Sequence, residues 1–349
     1  MLIRTLKISD YRNYSRKFVE FDPQLNIIVG KNGTGKTNLL ESIIVVSNTK
    51  SYRTNNDADL IKKNRDFARI ELVSDENVYK VVINKKNKSL YINERLISRT
   101  SEFIGSLNAV LFKPSDLELF NQSPSERRKL LDIEISKVSK RYIQALLKYN
   151  KLLKDKNKLL KQLEVDDVLL KVFNESMVPL IKIIIEERER FIDTINEYIT
   201  PMYSMISGRP SDIKIVYRKC SEIPEVEKAL AASYDKDNYY HYATFGPHHD
   251  DYYFLMDGYD LNSIASQGQR RMVLIAFKFA LIKYIQINTL KTPVVLLDDI
   301  LSELDKDNQE RLLNILPSET QVIITNTDIN NLNIKSDYKL IELREGYDV

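Results

Sequence analysis

Two fragments of one phosphate-binding signature stand at opposite ends of this chain. Gly30-Lys31-Asn32-Gly33-Thr34-Gly35-Lys36-Thr37 lies near the start, while Ser266-Gln267-Gly268-Gln269 and Val294-Val295-Leu296-Leu297-Asp298-Asp299 lie some 230 residues further on. The apolar run Leu25–Val29 reads as a buried strand entering the glycines, and Leu39, Leu40, Ile43 and Ile44 beyond them fall at helical spacing. Strand, glycine loop and helix in that order make an anion cradle. The glycines let successive backbone N–H groups and the helix N-terminus point at phosphates, where Lys36 would reach the outer oxygens and Thr37 would ligate Mg²⁺. Such a chain is committed to an α/β core.

The second fragment supplies what the first lacks. Pro293 precedes four apolar residues that end in Asp298-Asp299, a buried strand whose tip offers Asp298 to magnesium and Asp299 to an attacking water. Lys36, Asp298 and Asp299 are thus the candidate catalytic groups. Ser266-Gln267-Gly268-Gln269 opens a helical pattern carried by Val273, Leu274, Phe277 and Leu281, and admits two readings. One is a simple helix cap, since Ser with Gln three residues later is a capping box. The other is a second anion receptor at a helix start. One fold cannot usefully aim both helix starts at one γ-phosphate, so the economical arrangement has Ser266 of one subunit completing the site of its twin. The expectation is a dimerising ATP switch.

At 349 residues the chain exceeds a single ordinary core. Short alternating runs between residues 68 and 97 suggest hairpins of a flanking antiparallel sheet. From about Ser125 the character turns to Leu, Lys and Glu, and Tyr142, Leu146, Tyr149, Leu153, Leu160 and Leu163 occupy a and d positions of a heptad, with Lys156 the misfit. That predicts a helix of roughly 33 Å over residues 142–163. One or two returning helices would follow, restarting at Pro179. The division expected is a head over 1–115 and 208–349, split by a helical arm over 116–207. A balance of 52 Lys+Arg against 49 Asp+Glu says nothing about a polyanionic partner, and a single cysteine, Cys220, excludes an internal disulfide. The opening residues lack a signal-peptide block, and the apolar stretch 272–285 is shorter than the ~20 residues of a bilayer span. A cytoplasmic protein without a membrane partner is expected.

These residues resemble the ABC-type ATPase heads and, among them, the RecF family along nearly the whole chain. The resemblance rests on Asp10-Tyr11-Arg12-Asn13-Tyr14, on the loop Gly30 to Glu41, on Lys50-Ser51-Tyr52-Arg53-Thr54 and on Phe112 to Leu117. Ser125-Glu126-Arg127-Arg128-Lys129-Leu130-Leu131-Asp132, Gly246-Pro247-His248-His249-Asp250-Asp251, Ser266 to Arg271 and Leu296 to Asp305 extend it. It implies a P-loop mixed sheet with a flanking antiparallel sheet and a short inserted helical arm. It also implies ATP and Mg²⁺, ATP-dependent homodimerisation on single-stranded, gapped or junction DNA, and slow hydrolysis that resets the switch. RecO and RecR would be partners in recombinase loading, with a part in SOS induction. Arg12 and Asn38 join the loop residues as implied nucleotide contacts, and Ser302 to Asp305 as the loop crossing to the partner. Gln122 stands where the family usually has glycine, His249 where it has arginine, and Asn326 where many ABC heads place a switch histidine. Asp299 replaces the usual glutamate, one methylene longer, so slow turnover is expected.

The charge distribution offers candidates for DNA. Lys151, Lys154, Lys158 and Lys161 recur at helical spacing, Lys50, Arg53, Lys62, Lys63 and Arg65 cluster behind the glycine-loop helix, and Lys85, Lys86 and Lys88 sit on a hairpin. They would meet phosphates without reading sequence, although solvated surface is an equal reading. His248, His249, Asp250 and Asp251 do not suggest a metal centre, because neighbours on a strand face opposite ways. The rival function is another SMC-like or ABC-type ATPase head such as a transporter's nucleotide-binding subunit. A transporter subunit, however, keeps glycine loop and signature closer together, and the SMC class places a far longer coiled coil between them than the short heptad run here.

Overall fold

Three largely buried strands set the centre of the head. The computed structural model describes residues 1–301, 306–316, 318–331, 334 and 337–344. The strands run β1 Ile3–Tyr11, β2 Tyr14–Glu20, β3 Leu25–Val29, β4 Phe67–Ser74, β5 Val78–Asn84, β6 Lys88–Ile92, β7 Arg95–Ile97, β8 Ala109–Phe112, β9 Ile213–Arg218, β10 Asp251–Met256, β11 Tyr259–Asp260, β12 Val294–Asp298, β13 Val322–Asn326 and β14 Lys339–Glu342. The helices are α1 Lys36–Asn48, α2 Thr100–Phe103, α3 Pro124–Val138, α4 Lys140–Leu159, α5 Asp167–Ser207, α6 Val226–Ala232, α7 Tyr234–Tyr240, α8 Leu261–Ile264, α9 Gln267–Thr289 and α10 Lys306–Ile315.

One compact unit comprises residues 1–117, 201–210 and 271–349. In it β3, β12 and β13 are mostly apolar and buried along nearly their whole length, because a parallel sheet is covered on both faces. The sheet order is β14-β3-β13-β12-β8, all pairs parallel. Register aligns Asp298 with Thr325 and Val29 with Asn326, so the tips of three strands share one edge. An antiparallel sheet of order β2-β1-β4-β5-β6-β7 accounts for the hairpins expected between residues 68 and 97, and extends them to six strands. Helix α1 touches β4 and β5 of this sheet and β8, β12 and β13 of the other. Covered on both sides, it buries Leu39, Leu40, Ile43, Ile44, Val45 and Val46 all round and shows no single apolar stripe. Gln321 ties the start of β13 to β1: its amide accepts from Ile3 N at 2.7 Å and donates to Ile3 O at 2.8 Å. Helix α9 has the length and apolarity to cross a membrane, yet most of its apolar window is buried inside the protein.

The second compact unit comprises residues 118–200 and 211–270. Here the division differs from the expected arm over 116–207, since β9, β10 and the peptide Ser266–Gln269 group with the helices. The physical reason is hydrogen bonding that sequence cannot show. Asn196 on α5 accepts from Ile215 N at 2.7 Å and donates to Ile215 O at 2.9 Å, while Thr200 bonds both N and O of Ile213. Conversely, 201–210, the end of α5 with its turn, groups with the head.

Helix α4 ends at Leu159 rather than Leu163, and Leu163 is fully exposed. Lys156, the heptad misfit, is wholly buried. Its ammonium pairs with the equally buried Asp237 at 2.7 Å and donates to Asn174 at 2.7 Å. Asp237 also accepts from Thr244 N and Oγ1 and from Ser233, so the carboxylate is saturated. The returning stretch is a single helix of 41 residues that passes through Pro179. Burial of Met177, Ile181, Ile184 and Ile185 around the proline outweighs the lost backbone bond.

A charge network fixes α3, α5 and β10 together. Arg188 on α5 donates to Asp250 at 2.7 Å and Asp132 at 2.8 Å, and also to Tyr142 and to the carbonyl of Pro247. Tyr142 and Tyr217 donate to Asp132 and Asp250 respectively, and burial raises both phenols well above their ordinary pKa. Arg127 grips Asp251 through Nε at 2.9 Å and Nη2 at 2.6 Å, and Arg128 donates to the carbonyl of Asp250. Of the charged residues at the α3 start, Arg127 and Arg128 are thus committed to architecture and Glu126 closes the helix's capping box with Ser123, while Glu126 and Lys129 are exposed. Arg127 reaches Gln122 through its backbone carbonyl at 2.6 Å, a contact indifferent to the side chain there. His248 and His249 sit on a 3₁₀ turn, not a strand, with ring centroids 4.2 Å apart, so the alternate-face argument does not apply. Burial lowers the His248 pKa to about 4. As a neutral ring it donates Nε2–H to Ala243 O at 3.1 Å and accepts from Tyr149 at Nδ1, 2.5 Å away.

Candidate functional site

The glycine loop follows β3 and passes into α1, and its backbone explains its composition. Gly35, at the cap of α1, has φ 104°, and a Cβ there would stand 2.5 Å from Tyr14 Oη and 3.0 Å from Asn13 Nδ2. At Gly30 a Cβ would meet Thr34 Oγ1 at 2.7 Å and Leu343 O at 2.8 Å. Both positions thus require glycine, one by dihedral and contact, the other by contact. A Gly35→Ala variant is expected to bind ATPγS roughly ten- to hundredfold more weakly, the strain of one such residue. Isothermal titration against the wild type measures this, and an unchanged Kd contradicts it.

Lys36 Nζ donates to the carbonyls of Gly30 at 2.6 Å and Lys31 at 3.2 Å, holding the ammonium across the mouth of the loop. Thr34 closes the turn by donating to Lys31 O at 2.9 Å. Thr37 Oγ1 donates to Asp298 Oδ1 at 3.1 Å, which joins the two sequence fragments. Asp298 further accepts from Thr325 at 2.9 Å and Tyr52 at 3.3 Å. Tyr52 itself lies beneath the Lys113 ammonium, 5.0 Å from the ring centroid. Asp299 adopts φ 52°, with its N–H on Thr325 Oγ1 at 3.1 Å. Burial raises the Asp299 pKa, Lys36 pulls it back, and Asp298 raises it further. Asn326 is fully buried, and its Nδ2 has no hydrogen-bond acceptor among the described residues. A cavity of about 500 Å³ flanks the loop, lined by Gly30, Lys31, Thr34, Thr327, Ile329 and Leu340 among others.

Arg12 and Asn38 stand beside the loop but are already engaged. Arg12 forks onto the buried Glu41 of α1, Nε at 2.8 Å and Nη2 at 2.6 Å. Asn38 donates to Asn13 and accepts from Arg53 at 2.6 Å. Of the cluster behind α1, Arg53 is also 3.5 Å from Glu41, Arg65 pairs with Asp10 and Lys62 donates to Ser15, while Lys50 and Lys63 are exposed. Lys88 is not a free surface charge, since its ammonium pairs with Asp57 and donates to Thr49 O. Tyr52 and Thr325 are the contributors to Asp298 that motif reading did not single out. A tyrosine after the helix carries no phosphate signature, and only the β12–β13 register puts Thr325 there.

Ser266 caps α9 as a full box: Gln269 N donates to Ser266 Oγ at 3.2 Å and Ser266 N to Gln269 Oε1 at 2.9 Å. Ser266, Gln267 and Gly268 are exposed, and Gln269 is half-buried. Unlike Gly30 and Gly35, Gly268 has ordinary helical backbone, and a Cβ there would meet only Ser266 Oγ, at 4.0 Å. Ser302, Glu303, Leu304 and Asp305 lie outside the described residues.

Comparison with known proteins places this geometry. The family model described as RecF/RecN/SMC N terminal domain matches residues 2–345. Fold and site together define a P-loop head of the RecF, RecN and SMC class. The DNA replication and repair protein RecF of Lysinibacillus sphaericus is 36% identical over 366 residues, covering 99% of this chain and 99% of its own. That of Staphylococcus aureus is 33% identical over 369 residues, again covering 99% of both. The chain belongs to the RecF family. A solved structure of the recombination mediator protein RecF-ATPrS in the RecFOR pathway superposes with TM-score 0.89 at 28% identity, over 99% of this chain and 96% of that one. The Smc head domain of Pyrococcus furiosus, at 18% identity and TM-score 0.55, covers 99% of this chain and 94% of its own, and shares the fold alone.

Proposed function

We propose that this chain is an ATP-driven dimerisation switch acting on single-stranded, gapped or junction DNA. With RecO and RecR it would promote recombinase loading and the SOS response, and slow hydrolysis would release it. ATP would sit on the amides of Gly30 to Thr37, with Lys36 donating to the outer phosphate oxygens. Thr37 and Asp298, a hydroxyl and a carboxylate 3.1 Å apart, offer the hard oxygen pair that Mg²⁺ takes. Bound there, the ion would neutralise charge on the β and γ phosphates. Asp299 orients the attacking water and takes its proton, with a reach shorter than glutamate's. The buried Asn326 amide is a spare donor at the same strand edge.

The observation that carries the reading is Gly268. No described residue of its own protomer needs a glycine there, and a bare, exposed helix start beside a serine hydroxyl is suited to an anion brought by a second copy. The expected outcome is a monomer without nucleotide or with ADP, and a dimer with Mg²⁺ and ATPγS, by light scattering. Gly268→Asp has room in its own protomer but sets a carboxylate against the phosphate, and should stay monomeric with an unaltered melting temperature. A wild type that remains monomeric with ATPγS defeats the switch.

A further inference from the structure

Between Asn150 and Tyr242 the second unit carries an aromatic and basic surface that neither the nucleotide site nor the charge network uses. Lys151, Lys154 and Lys158 of α4 and Lys161 just past it are exposed, and among the described residues Lys151, Lys154 and Lys161 form no ion pair. Among the described residues Lys158 has one partner, the half-buried Asp155 at 3.4 Å. A shallow groove of about 370 Å³ runs between them, floored by Leu153 and Asn157.

Residues 237–243 are clamped to this same helix at three points. Asp237 pairs with Lys156, Leu160 O contacts His241 Nδ1 at 3.0 Å, and Asn157 Oδ1 accepts from Ala243 N at 2.7 Å. The clamp holds three tyrosines outward: Tyr239, Tyr240 and Tyr242 are 77%, 53% and 45% exposed. Their rings touch in series, with centroids 5.0 Å apart for Tyr239 and Tyr240 and 5.9 Å for Tyr240 and Tyr242. His241, in left-handed conformation at φ 58°, makes the turn between them. Core packing does not explain rings so open. Asn150 at the other end of the groove also lines a second cavity of about 190 Å³, bordered by Ser125, the exposed Lys129, and Arg128, Asp132 and Arg188 of the charge network.

We propose that this surface binds single-stranded nucleic acid, its phosphates along Lys151, Lys154, Lys158 and Lys161 and its bases stacked on the three tyrosines. The lysines select a polyanion and the flat exposed rings select unpaired bases, since a duplex keeps its base faces inside. The inference rests on the DNA-acting reading above and assigns it a strand type and a place. Contact is independent of sequence and weakens with salt.

The test uses the full chain and fluorescence anisotropy with a labelled oligo-dT and an abasic strand of equal length and charge. Wild type should prefer oligo-dT roughly tenfold, the contribution of stacking. The variant Tyr239→Ser/Tyr240→Ser/Tyr242→Ser should lose that preference while still binding the abasic strand. Lys154→Gln/Lys158→Gln/Lys161→Gln should weaken both strands and flatten the salt slope by about 2. All six side chains are exposed, so melting temperatures should hold. Retained oligo-dT preference in the tyrosine variant, or unchanged binding in the lysine variant, overturns the site alone if wild type binds gapped DNA. Wild type that binds no DNA of any form overturns both this site and the function it rests on.

Discussion

Replacing Lys36 with alanine is expected to lower ATP turnover by about 10²–10³-fold, the cost of removing one preorganised donor from developing phosphoryl charge. Its ammonium is held by two loop carbonyls, Gly30 O and Lys31 O, and so is positioned before any phosphate arrives. Asp298 is equally preorganised, with donors from Thr37, Thr325 and Tyr52. Because phosphoryl transfer depends mostly on positioning and charge, a group fixed in advance loses little to reorganisation. A steady-state phosphate-release assay checks the expectation. A Lys36→Ala variant within tenfold of wild type would mean that the glycine loop is not where hydrolysis occurs.

Substituting Arg188 with methionine is expected to destabilise the second unit by about 3–5 kcal/mol, as removing one partner strands buried charge. Arg188 is 2% exposed and bridges Asp250, itself 1% exposed, with Asp132. In a unit of this size the melting temperature should drop by roughly 10 °C. Asp250 would keep Tyr217 and the N–H of Cys220, both neutral donors. The double variant Arg188→Met/Asp250→Asn should recover part of the loss, because the stranded carboxylate becomes a neutral amide. Strictly additive losses in calorimetry would contradict the coupling.

Where the sequence repeats a pattern imposed by backbone chemistry, it was readable. Leu25–Val29 and Val294–Leu297 are mostly apolar because both faces of the parallel sheet are covered, and the glycines follow from dihedral and contact at Gly35 and Gly30. The hairpins were readable from alternation. What escaped depends on partners distant in sequence. Lys156 looked like a heptad error because Asp237 lies far along the chain, and Tyr52 looked unremarkable because its acceptor, Asp298, does too. The start of β9 and β10 belongs with the helical unit through Asn196 and Arg188, groups whose roles no periodicity encodes. Pro179 suggested a break that burial around it overrides.

A shared site makes a demand that a self-contained one does not. In a two-fold dimer each nucleotide would lie between the loop of one copy and Ser266 of the other. Lys36→Ala and Ser266→Arg should each be inactive alone. Mixed in equal amounts, they should recover about a quarter of wild-type ATP turnover, since half the dimers are mixed and each mixed dimer keeps one intact composite site. A mixture no more active than its components would show that Ser266 serves only its own helix, and the proposed switch would fail.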